Sequence, residues 1–137
     1  MGWTVHCTEC ELQSYASNIV ELLDSHTDKN GWFVCPSGHQ GFVEKTFSLQ
    51  EEGETWDPYL RGALRLSKKD NTYQPFVFFV SYEPAGEITA IWFSYYKDLR
   101  QYGGRLKMGY GPGGPPVLST EQVLFLVKEM KSLGLTK

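Results

Sequence analysis

The stretch PFVFFVSYEPAGEITAIWFSYY, residues 75–96, decides the fold. Two runs rich in β-branched and aromatic residues flank Pro84-Ala85-Gly86-Glu87, which is the composition of a β-hairpin. Pairing Glu83 with Ile88 sets Phe79 opposite Trp92 and Phe78 opposite Phe93. On that register Phe76, Phe78, Val80, Ile91, Phe93 and Tyr95 share one face, and Val77, Phe79, Ala90 and Trp92 the other. A hairpin apolar on both faces belongs near the middle of a sheet, or has one face covered by a helix and the other by a partner.

Outward from the hairpin, TWDPYLRGALRLSK alternates from Tyr59 onward through Leu60, Leu64 and Leu66, a strand pattern. Toward the C-terminus, LSTEQVLFLVKEMKSLGLTK carries a capping box of Ser119 and Gln122. Val123, Leu126, Val127, Met130 and Leu133 recur at helical spacing and are expected to face inward, and Gly134 supplies a left-handed stop. Toward the N-terminus, ELQSYASNIVELLDSH repeats Leu12, Tyr15, Ala16, Ile19, Leu22 and Leu23 at helical spacing, which predicts a helix over 11–26. The Asn30-Gly31 turn follows, and WFVC and QGFVEKTFSLQ read as two short strands around a tight turn. The sum is an α+β protein, with an antiparallel sheet and two main helices.

At 137 residues, with 41% hydrophobic, 15% aromatic and 21% charged residues, the chain has the composition of an ordinary globular protein. The expected organisation is a single domain over 1–137, with an N-terminal part at about 1–48 and the sheet plus C-terminal helix at about 55–137. No run approaches the ~20 apolar residues of a membrane span and the first residues lack a signal core, so the expectation is a soluble cytoplasmic protein without membrane contact. The net charge of -3 is unevenly spread: residues 1–57 carry ten Asp/Glu against two Lys/Arg, and residues 58–137 carry six against eleven.

All three cysteines fall in two short turns. Cys7-Thr8-Glu9-Cys10 has the spacing at which two thiolates point at one ion, and Cys35-Pro36-Ser37-Gly38-His39 puts a Cys and a His on a Pro/Gly turn. Three cysteines cannot close a disulfide framework without leaving a thiol over, and an iron–sulfur cluster normally takes four thiolates. The competing reading is three separate thiols and an unrelated histidine; His6 is a second candidate for the nitrogen ligand.

Over residues 5–44 the pattern resembles zinc-ribbon and zinc-knuckle proteins, in which two Cys-rich turns close on one structural zinc. The resemblance implies Cys7, Cys10, Cys35 and His39 as ligands of a structural Zn²⁺. Here the second turn is one residue longer and ends in His, and the predicted helix fills the gap where a ribbon often has a hairpin. Four protein ligands leave no coordination position for water, which argues against catalysis. A zinc-deaminase signature is missing, since no His-x-Glu occurs, and a Cys35–His39 nucleophile has no visible orienting third group.

The stretch WFSYYKDLRQYGGRLKMGYG mixes aromatics with cations, and Arg61, Arg65, Lys68 and Lys69 would extend its basic surface. Trp92, Tyr95, Tyr96, Lys97, Arg100, Tyr102, Arg105, Lys107 and Tyr110 are therefore the candidate partner-binding residues. The alternative is a solvated hairpin edge. Gly109 to Gly114 formally fits G-x-G-x-x-G, but Pro112, Pro115 and Pro116 stand where a helix should begin. The functional expectation is a non-enzymatic binding or adaptor module with a protein partner or a second copy of itself. A nucleic-acid-binding zinc protein is the first alternative and a metal-dependent hydrolase the second.

Overall fold

The computed structural model describes residues 2–44, 49–51, 54–56, 59–68, 71–88, 90–108 and 120–134. Among the described residues, nine strands and two α-helices follow in the order β1 (Trp3–Cys7), β2 (Gln13–Ala16), α1 (Ile19–Ser25), β3 (Gly41–Glu44), β4 (Leu49–Glu51), β5 (Glu54–Trp56), β6 (Tyr59–Arg65), β7 (Tyr73–Ser81), β8 (Ala90–Asp98), β9 (Leu106–Met108) and α2 (Thr120–Ser132). Seven strands form one antiparallel sheet in the order β2-β1-β3-β6-β7-β8-β9, and β4 pairs with β5 separately. The expected α+β class with two helices is what the chain adopts. No described helix is long and apolar enough to cross a membrane.

The chain divides into two compact units: Met1–Ala63 with Phe78–Ile91, and Leu64–Val77 with Trp92–Lys137. In the first, β1 lies between β2 and β3, with Trp3 opposite Ala16 and Cys7 opposite Gly41. Trp3 and Val5 point into a core that also holds Leu22, Phe33, Val43 and Phe78. The ring of Phe78 lies 5.9 Å from Trp3 and 6.5 Å from Phe33, close enough for tilted and edge contacts to add to the burial.

The helix expected over 11–26 is half strand. Gln13–Ala16 pairs with β1, and α1 begins only at Ile19. Asn18 sets that start: its backbone is extended and its side chain accepts the Glu21 amide at 2.9 Å. The Glu21 carboxylate in turn accepts the Ser17 amide at 2.7 Å and the Ser17 hydroxyl at 2.6 Å. A chain held this way at residues 17 and 18 cannot extend the helix backwards. Leu12 and Tyr15, counted above on the apolar face, are exposed, while Ala16, Ile19, Leu22 and Leu23 are buried.

Of the hairpin expected to be apolar and covered on both faces, strand β7 fits, with every residue from Gln74 to Ser81 buried, while on β8 Phe93 is exposed and Ile91 and Trp92 are half-buried. The turn differs. β7 ends at Ser81 and β8 begins at Ala90, so Glu83 and Ile88 lie in the connection and not in the ladder. Arg61, itself buried, fastens this connection by donating from Nη1 to the Gly86 carbonyl at 2.8 Å, and donates from Nε to the Gly41 carbonyl at 3.2 Å.

In the second unit, Phe76 packs on Tyr96 at 6.0 Å and Tyr73 on Tyr95 at 5.5 Å. Strand β9 pairs with β8 through Tyr96–Met108, Lys97–Lys107 and Asp98–Leu106. Helix α2 departs from its expected orientation: Leu126 is buried, but Val123 and Val127 are exposed. Ser119 lies outside the described residues, and Gln122 donates from its side-chain Nε2 to the Ser67 hydroxyl at 2.6 Å. Gly134 does take the left-handed conformation, with φ of 76°.

Candidate metal centre

Strand β1 delivers Cys7 at its end, and the chain then turns so that two amides point back at the sulfur. The Glu9 amide donates to Cys7 Sγ at 3.2 Å and the Cys10 amide at 3.3 Å. Such bonds favour the thiolate. The second turn is closed by Cys35 donating from its amide to the His39 carbonyl at 3.0 Å, and by Gly38 donating to the Cys35 carbonyl at 2.9 Å. Gly38 sits at φ 85° with open space around it, so backbone conformation, and not crowding, calls for glycine there.

Pairing of Cys7 with Gly41 brings the two turns to the same end of the β1–β3 ladder. Cys10 Sγ then lies 3.7 Å from Cys35 Sγ, and His39 Nδ1 lies 3.7 Å from both Cys7 Sγ and Cys35 Sγ. All four donor atoms fall within 4.8 Å of one another, a separation compatible with one metal ion, and no other group of three or more His, Cys, Asp or Glu donors among the described residues does so. Cys35 is buried and the other three are half-buried. None of the cysteines is in a disulfide.

The two N-terminal thiols titrate in opposite directions. Burial raises Cys7, but the Glu9 amide, the Cys10 thiol, the Cys10 amide and His39 outweigh it and bring it down to about 6. For Cys10, the Leu12 amide lowers the value, while Cys7, burial and Cys35 outweigh it and push it up to about 11. One thiolate is favoured by the amides that point at it, and the neighbouring thiol is held protonated by the adjacent sulfurs.

His39 turns its other nitrogen, Nε2, toward Glu9 Oε2 at 3.7 Å. Glu9 had no role in the sequence reading; a carboxylate inside the Cys-x-x-Cys turn is the local signal for it. His6 takes no part. Its Nδ1 pairs with Gln13 Nε2 at 3.1 Å and its ring stacks on Phe42 at 5.3 Å. His26 caps the end of α1 and pairs with Ser14 Oγ at 3.0 Å.

The candidate partner-binding residues do not share one surface. Tyr95 and Tyr96 are buried, Trp92 is half-buried, and Tyr102 is 73% exposed. Lys97, Arg105 and Lys107 are exposed. Arg100 is exposed but engaged, donating from Nε and Nη2 to the two oxygens of Asp98 at 2.9 and 2.8 Å. Tyr110 and the glycine loop from Gly109 to Gly114 lie outside the described residues, as does Lys69. Arg65 donates to the Tyr96 hydroxyl at 2.9 Å, and Arg61 belongs to the core contacts described above.

Fold and site together define an α+β protein with a Cys₃His cluster suited to a metal ion. Comparison with known protein families, curated proteins and solved structures finds no match to this chain.

Proposed function

We propose that Cys7, Cys10, Cys35 and His39 hold a structural zinc ion, and that the protein acts as a non-enzymatic binding module. The observation that carries this reading is the set of three 3.7 Å edges between donor atoms. A tetrahedral zinc with bonds of about 2.3 Å to sulfur and 2.0–2.1 Å to nitrogen requires edges of about 3.8 Å between sulfurs and about 3.6 Å from sulfur to nitrogen. Thiolates and imidazole suit zinc and not the oxygen-seeking Mg²⁺ or Ca²⁺. With four protein donors the tetrahedron is complete, so the ion would organise the two turns and leave no position for substrate. Three unlinked thiols fit a reducing compartment such as the cytoplasm.

The test is metal content with X-ray absorption at the zinc edge, on protein purified without added metal. One zinc per chain with three sulfurs and one nitrogen is expected. Zinc with two sulfurs and an oxygen ligand would overturn the closed site and favour a hydrolase, and absence of metal would leave three ordinary thiols.

A further inference from the structure

Charge follows the fold more sharply than it follows the sequence halves. The unit made of Leu64–Val77 and Trp92–Lys137 holds ten Lys/Arg against four Asp/Glu, a balance of +6, while the remaining residues hold three against twelve, a balance of -9. Within the basic unit the cations concentrate on the hairpin of β8 and β9. Lys97 stands directly opposite Lys107 in the ladder, and the Leu99 amide bonds to the Arg105 carbonyl at 3.1 Å, which continues the same register by one more pair. Residues two apart on a strand share a face, so Lys97, Lys107 and Arg105 project from one side of the hairpin; on the same face of β8, Tyr95 is buried against Tyr73 and Phe93 beyond it is partly exposed.

Directly opposed like charges destabilise a ladder. Asp98, the acidic residue of this hairpin, already has both oxygens on Arg100. Among the described residues no carboxylate pairs with Lys97, Arg105 or Lys107. An anion seated across the three would offset that repulsion. Exposed rings flank the cations: Phe93 is 38% exposed along β8, and Tyr102, at the hairpin's tip, is 73% exposed. A row of cations between exposed aromatic rings is the arrangement that tracks a phosphate backbone while bases stack.

We propose that this face of the β8–β9 hairpin binds single-stranded nucleic acid, through Lys97, Lys107 and Arg105 on the phosphates and Tyr102 and Phe93 against bases. The inference rests on the reading of the protein as a binding module and names its partner class.

The test is fluorescence anisotropy of a labelled 15-nucleotide oligouridylate titrated with the full chain, with zinc counted on the same sample. Three phosphate contacts give a slope of about -2 in log affinity against log salt, so affinity should fall roughly 20-fold between 50 and 200 mM salt. The double variant Lys97→Gln/Lys107→Gln should flatten that slope to about -0.7. Tyr102→Ala should weaken binding at least about fivefold without changing the slope.

Failure to bind at 50 mM salt by metal-replete, folded protein would overturn this inference and leave the structural-ion reading standing. A wild-type salt slope in the lysine variant would overturn it too. Equal competition by polyglutamate would assign the face to acidic peptides, and an inert Tyr102→Ala would reduce the effect to charge alone. The first result removes the nucleic acid and the second removes base stacking at Tyr102; each overturns the proposal as stated.

Discussion

Gly41 joins the metal turn to the sheet, and replacing it with alanine separates the two. Its backbone takes an ordinary negative φ, so no conformational strain follows from Gly41→Ala; all of the cost is steric. A Cβ there would meet the His6 carbonyl oxygen far inside the 3.0 Å that real Cβ atoms keep, with Val5 Cγ1 at 3.1 Å on its other side. Since His6 O is backbone, no side chain can swing away, and β1 must move off β3 by roughly half an ångström or more. The displaced residues include Cys7, which is Gly41's partner in the register, while His39 sits two residues before Gly41.

Metal–ligand distances in a well-formed site hold within about 0.2 Å of their standard values, so a shift of this size works against them. Overpacking of this kind costs about 1–3 kcal/mol of stability. Gly41→Ala should therefore lose about 2 kcal/mol in urea denaturation and bind zinc at least about tenfold more weakly in competition with a chromophoric chelator. Gly38→Ala is the control. It lies inside the ligand turn and is strained by its φ of 85°, but a Cβ there meets nothing within 4 Å. Its cost should be about 1 kcal/mol, with zinc affinity within a few-fold of wild type. Unchanged zinc affinity in Gly41→Ala would refute the idea that the β1–β3 register sets the ligand geometry.

Arg61→Met keeps the length of the stem but strips the donors from the Gly41 and Gly86 carbonyls, and should cost about 3 kcal/mol by urea denaturation; a loss below about 1 kcal/mol would contradict its role as a clamp. The Glu21 carboxyl is held below its ordinary value by the hydroxyl and then the amide of Ser17. A depressed carboxyl stabilises the fold above the unfolded value of about 4.3 and loses that contribution as pH falls through the folded value. The melting temperature of Glu21→Gln should accordingly fall less than that of the wild type between pH 5 and pH 3, to roughly the extent of the lost capping contribution; parallel curves would remove the cap from the account. Glu9→Gln should weaken zinc binding by about tenfold at most, since the carboxylate faces His39 from 3.7 Å and is 64% exposed; an unchanged zinc off-rate would show that it does not orient the imidazole.

The Cys₃His cluster was legible because each half of it is local. Cys-x-x-Cys and Cys-Pro-Ser-Gly-His each fold on their own turn chemistry, and only the pairing of the turns is long-range. The helix over 11–26 was misleading for the opposite reason. Leu12, Tyr15, Ala16 and Ile19 satisfy helical spacing, and a four-residue strand such as Gln13–Ala16 is too short to impose a period of its own. Asn18 and Glu21 did mark the true start three residues apart, as a cap signal inside the supposed helix. In α2 the pattern chose a face too broadly, because Leu124 and Phe125 extend the apolar stripe around the helix, and the structure buries Leu126 while exposing Val123 and Val127 as well as those two. Arg61 looked like surface charge; its acceptors, Gly41 and Gly86, are 20 and 25 residues away, and no local pattern announces them.

The position of the cluster also explains why an ion would be needed there. The elements around it are short: five residues in β1, four in β2, seven in α1 and four in β3. A seven-residue helix is well below the ~12–15 residues at which helices hold themselves, so these elements depend on tertiary contacts. At one end of β1 those contacts exist, in Trp3, Val5 and the rings around Phe78. At the other end they thin out to the His6–Phe42 stack. Thr8, Glu9, Glu11 and Leu12 are exposed on one turn and Pro36, Ser37 and Gly38 on the other, leaving Cys35 as the buried side chain between them. Without a hydrophobic cluster to join the turns, a metal bond to each is the remaining way to offset the entropy of ordering them, and the four donors converge at that uncovered end.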